Sequence, residues 1–65
     1  MRFKQYDVVK LVHGFPEDGI APGATAVVLE VLDKPKPHYE VEVVFDDDDE
    51  RLYTAGVDED GVEAA

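Results

Sequence analysis

Polar and apolar positions alternate most regularly in Tyr39-Glu40-Val41-Glu42-Val43-Val44-Phe45, where Tyr39, Val41, Val43 and Phe45 fall on one side of an extended chain and Glu40 and Glu42 on the other. A period of two marks a half-buried strand with one wet face. Upstream, Thr25 to Leu32 is rich in β-branched residues and predicts a second strand, with Val27, Leu29 and Val31 sharing one face and Val28 and Glu30 the other. Between them, Asp33 to His38 contains Pro35 and Pro37, which offer no N–H to a ladder, so this segment reads as the loop of a hairpin. Asp7 to Val12 has the same β-branched character and predicts an earlier strand. It is followed by His13 to Gly23, whose three glycines and two prolines exclude a regular element. Phe15 and Ile20 are apolar within that stretch and are expected to fold back over one end of the core. After Phe45, Asp46 to Asp49 predicts a turn, Arg51 to Thr54 a strand carrying Leu52 and Tyr53, and Val57 to Glu63 a short closing segment.

No segment carries a helical period, so the fold class is all-β. Four to five short strands, with a long loop after the first and a tight acidic turn after the third, predict a small five-stranded SH3-like barrel, a closed form that removes free sheet edges. The expected core is Val9, Leu11, Val27, Leu29, Val31, Tyr39, Val41, Val43, Phe45 and Leu52, with Phe15 and Ile20 as its lid. At 65 residues the chain holds one domain, residues 1–65, with no repeat or linker. A domain of this size buries only about 60% of the surface its unfolded chain exposes, which leaves little room for an internal active-site pocket. The 45% apolar share, with three Phe and three Tyr, is enough to anchor a core. With no cysteine, disulfides and thiolate zinc sites are excluded. No apolar run approaches a membrane span and residues 1–7 lack the apolar stretch of a signal peptide, so a cytoplasmic location is expected.

Charge changes the picture most. Sixteen acidic residues against six basic ones give a net charge of −10. Residues 1–38 hold five of each sign, whereas residues 39–65 hold eleven acids and Arg51 as the one base. That field repels nucleic-acid phosphates and anionic membranes and attracts basic partners and cations, so no nucleic-acid or membrane partner is expected. Glu40, Glu42 and, if the strands pair as drawn, Glu30 line one face. This line continues into Asp46, Asp47, Asp48, Asp49 and Glu50, making these seven residues from Glu40 onward the candidate surface for a basic protein partner.

The remaining chemistry is sparse. His13 and His38 both lie in expected loops without the partner and pocket that acid–base catalysis needs, and the carboxylates sit on turns and a wet strand face instead of converging on a cleft. No catalytic residue and no cofactor is assigned. Consecutive acids in Asp46 to Glu50 lack the alternating ligands and glycine of a calcium loop, so weak cation association is the most they predict and no metal site is assigned.

The order of these pieces resembles a known family. Tyr6-Asp7-Val8-Val9, then Phe15-Pro16-Glu17-Asp18-Gly19-Ile20, then Pro22-Gly23 with Ala26-Val27-Val28-Leu29-Glu30-Val31, then Tyr39-Glu40-Val41-Glu42-Val43 resemble the small proteins grouped as domain of unknown function 4926. More distantly they resemble the SH3-like barrels of KOW modules and of the nitrile hydratase β subunit. The resemblance spans about residues 3–54 and implies a fold without implying an activity. Ala24-Thr25-Ala26 stands where that family usually has Gly-Thr-Val, and the run Asp46 to Asp49 is more acidic than its pattern. Three classes of function stay open: a non-catalytic binding module, such as an accessory subunit or an immunity or antitoxin-like neutraliser of a basic protein; a β domain whose acidity is an adaptation to high salt; and a weak divalent-cation binder or enzyme subunit.

Overall fold

In a computed structural model, which describes residues 2–65, the chain forms five strands and two short 3-10 turns. The strands are β1 (Val8–Leu11), β2 (Thr25–Leu32), β3 (His38–Val43), β4 (Thr54–Asp58) and β5 (Val62–Ala64), with the turns at Pro16–Asp18 and Glu59–Gly61. They make one antiparallel sheet in the order β4-β3-β2-β1-β5. The all-β class expected from the sequence is observed. The ladder is not closed, because no pairing joins β4 to β5. Only Glu59–Gly61 separates these two edge strands, however, so the sheet has to bend back on itself between Asp58 and Val62.

The core is the apolar inner face of that sheet. Val9, Leu11, Ala26, Val28, Tyr39, Val41, Val43 and Val62 are buried on it, and Ile20 joins them from the long loop. Phe15, Val31, Phe45, Tyr53 and Val57 pack against this group from the side. Phe15 and Ile20 bridge to one another, N–H to carbonyl in both directions at 2.7 and 3.1 Å, and thereby hold the lid in place. Gly14 makes the fold-back possible. It has φ +65°, and a side-chain carbon there would lie 2.5 Å from the Ile20 carbonyl oxygen.

Two expectations need correction. Val27 and Leu29 are not core residues: Ala26 and Val28 point inward, and only Val31 of the expected three does so. The cause is a β-bulge. Val28 faces Val41 and Glu30 faces Glu40, so β2 advances two residues while β3 moves one, and Leu29 is the extra residue that reverses the phase. Leu52 is also outside the core, at 78% exposure, and the expected strand Arg51 to Thr54 starts only at its last residue. Thr54–Asp58 is the real strand. Tyr53 just ahead of it is held by its ring against Phe15 (centroids 5.4 Å apart) and its hydroxyl donating to Asp18 at 2.7 Å, while Leu52 points to solvent. His38 opens β3 and does not end the preceding loop.

Candidate functional site

On the outer face of the sheet, the register sets residues in rows across the strands. Glu30 of β2 lies directly opposite Glu40 of β3, and Glu40 in turn opposite Gly56 of β4. Glu42 lies between Val27 and Thr54 one row along. The expected sharing of a face by Glu30, Glu40 and Glu42 is therefore observed. Glu40 and Glu42 are half-buried, Glu30 is exposed, and none of the three has a basic side chain bonded to it among the described residues. Like charges held opposite each other in a sheet repel.

The acidic turn is a separate feature beyond the end of β3. Asp46, Asp47, Asp48 and Glu50 are exposed, and the turn is closed by the Asp49 N–H donating to the Asp46 carbonyl at 2.9 Å. Asp49 differs from its neighbours because Arg51 donates to it from the backbone N–H and from Nε and Nη2, at 2.9 to 3.1 Å. That guanidinium also lies over the Phe45 ring, 4.4 Å from its centre. The hydrogen bonds from Arg51 hold the Asp49 carboxyl below the usual range and raise the guanidinium in return. Thus the single base of the acidic half is committed to one aspartate. Among the described residues no cluster of three or more carboxylates and histidines is arranged to hold a metal ion. His13 is exposed; His38 directs Nδ1 at the Lys36 carbonyl, 2.8 Å away, which fixes the proton on that nitrogen.

A polar network at the opposite end was not anticipated. Tyr39 is fully buried as a residue, yet its hydroxyl accepts from the Phe3 N–H at 3.1 Å and donates to the Glu59 carboxylate. Arg2 completes it, with its backbone N–H on Glu59 Oε1 at 2.9 Å and Nη2 on the Glu59 and Val62 carbonyls at 2.9 and 2.8 Å. Burial first, and the bond to Glu59 second, raise the Tyr39 phenol above its ordinary value; the same bond, with the Arg2 N–H, lowers Glu59. No sequence motif links residues 2, 39 and 59.

Two small clefts flank β4. One, of about 190 Å³, is lined by Leu11, His13, Phe15 and Val57, and the other, of about 260 Å³, by Pro35, Lys36, His38 and Asp58; both reach Gly56. Gly56 is exposed in the middle of the strand, and an added side-chain carbon there would lie 3.7 Å from Glu40 Oε2. This place was not anticipated from the sequence; a glycine between Ala55 and Val57 is the signal that could have found it, since glycine inside a strand often marks a close backbone approach. No helix among the described residues is long and apolar enough to cross a membrane. Comparison with known proteins adds no relative: no family model, no curated protein and no solved structure matches the chain.

Proposed function

We propose that this chain is a non-catalytic acidic binding module that docks on a basic protein, as an accessory subunit or as an immunity or antitoxin-like neutraliser. The observation that carries this reading is the row Glu30–Glu40, with Glu42 beside it, on the solvent side of the sheet. Opposed carboxylates cost stability there, and Lys36 and Arg51 form their ion pairs elsewhere, with Asp58 and Asp49. An unneutralised acidic face of this kind speeds and selects the encounter with a basic surface. The exposed Asp46, Asp47 and Asp48 extend the same field. On the fold, we read the strand order, with β1 paired to both β2 and β5 and a 3-10 turn between β4 and β5, as the open form of an SH3-like barrel, in keeping with the resemblance to domain of unknown function 4926.

The test is capture of basic proteins on the immobilised chain at low salt, followed by elution with rising ionic strength, since exposed charges are screened beyond about 8 Å at physiological salt. Captured partners should associate more slowly with the triple variant Glu30→Gln, Glu40→Gln, Glu42→Gln, with the folded state intact. Asp49 is left in place because it holds Arg51. Equal association rates for parent and variant would overturn the reading.

A further inference from the structure

The open sheet has two edges, and the chain treats them differently. On β5, the Val62 carbonyl points away from β1, because Val12 N–H bonds to Gly61 and bonded residues alternate along an antiparallel ladder. Arg2 Nη2 takes that carbonyl at 2.8 Å. On β4, Val43 N–H bonds to the Tyr53 carbonyl at 2.9 Å, so by the same alternation Ala55 and Val57 bond to β3 while Thr54, Gly56 and Asp58 turn their N–H and C=O groups outward. Those three residues are exposed, and apart from the 3-10 turn that Asp58 opens, no backbone group of the described residues is seen to bond to them from the outer side. β4 also lacks the proline or lysine with which sheet edges are usually blunted.

We propose that the free edge of β4 receives an extended peptide segment of a partner, paired antiparallel, with alternate side chains apolar and basic. The alternation follows from what lies on each side of the strand. Side chains directed to the inner face meet the cleft lined by Leu11, Phe15 and Val57. Those directed to the outer face, opposite Gly56, meet the Glu40 carboxylate, which the missing side chain of Gly56 leaves open to the next strand position. Strands lie only about 4.8 Å apart, so a lysine or arginine there reaches across the bare backbone. The main-chain bonds hold the segment and the two faces select it, which is the division of labour in strand addition. A second copy of this chain is disfavoured as the occupant, because each copy carries a net charge of −10 and a second β4, Thr54–Asp58, brings no basic side chain to meet Glu40. The basic half of this specificity rests on the acidic docking function proposed above; the open edge does not.

The probe is a blocked peptide of about eight alternating valines and lysines, a usual strand length, titrated into the ¹⁵N-labelled chain. The amides of Thr54, Gly56 and Asp58 should shift most and become protected from exchange. In the paired strand the lysines lie opposite Gly56 and direct their N–H groups at β4, whereas the valine N–H groups face away. Backbone N-methylation of the lysines should therefore weaken binding at least about ten-fold, and methylation of the valines less than about two-fold. Gly56→Pro, which removes only an outward N–H, should match the lysine-methylated result; the methylated peptides give the answer on the parent chain even if this variant fails to fold. Equal affinity for both methylated peptides, no binding of the probe, or a chain dimer that Gly56→Pro dissociates would each overturn the proposal. Loss of the methylation effect with salt-sensitive binding retained sinks the edge site and leaves the acidic face standing. An intact methylation effect unchanged by Glu30→Gln, Glu40→Gln and Glu42→Gln supports the edge and sinks the acidic face.

Discussion

Replacing Val28 with alanine tests the bulge in β2 and with it the assignment of every residue on that strand. Val28 is fully buried opposite Val41, two residues from Ala26 on the same inner face. Val28→Ala deletes two methylene-sized groups, about 1.6 kcal/mol in transfer free energy, and the cavity left behind brings the expected loss to about 2–3 kcal/mol. A domain of this length holds roughly 3–10 kcal/mol in all, so the loss is a large share. Val27, one residue earlier, is only half-buried on the outer face between Val8 and Glu42, and Val27→Ala should lose less than about 1 kcal/mol. Thermal melting followed by far-ultraviolet circular dichroism should show Val28→Ala lower in Tm by more than about 10 °C, with Val27→Ala within a few degrees of the parent. A larger loss for Val27→Ala would mean that the inward phase runs through Val27, Leu29 and Val31, and the bulge would be refuted.

Tyr39→Phe keeps the buried ring but orphans the Phe3 N–H and one Glu59 oxygen, and urea melts should show a loss of about 1–3 kcal/mol. Because Glu59 titrates below its ordinary value in the folded state, the unfolded chain takes up protons first on acidification; the contribution is whole above about pH 4.3 and fades as pH falls through the folded value. Melts between about pH 6 and about pH 3 should therefore show a shallower acid slope for Glu59→Gln than for the parent, and equal slopes would remove the Tyr39–Glu59 bond from the account. Gly14→Ala forces a side-chain carbon against the Ile20 and Ala21 carbonyls at a positive φ and should cost at least about 2 kcal/mol in a chemical melt. Glu40→Gln should raise stability by about 0.2–1 kcal/mol at low salt by relieving Glu30, with the gain shrinking as salt is added.

Sequence periodicity carried the fold as far as local pattern reaches. Tyr39, Val41 and Val43 alternate with Glu40 and Glu42, and that strand lies as the alternation predicts because only one of its faces is apolar. Apart from Glu30, Val27 to Leu32 is apolar on both faces, so nothing in the residues themselves marks Leu29 as the place where the phase reverses; the pairing partner decides it. Leu52 pulled the predicted fourth strand forward because an isolated leucine reads as core, whereas the turn that Arg51 clamps to Asp49 leaves it pointing to solvent. The acidic face was legible for the same reason as β3. The free edge was not, since whether a strand has one neighbour or two is a property of the sheet and not of Thr54 to Asp58.

The pairing of β1 with both β2 and β5 has a consequence for the order of synthesis. Of the five strands β1 is made first, yet its second neighbour, β5, follows the other three, and the buried Val62 arrives with it. Until then one side of Val8–Leu11 is an unprotected template beside an incomplete core, with Lys10 as the one charge to keep other strands away. A chain cut after Asp58 would keep the hairpins β1–β2, β2–β3 and β3–β4 and still leave Leu11 uncovered. Such a product should associate through β1, a hazard that pairing with β5 removes.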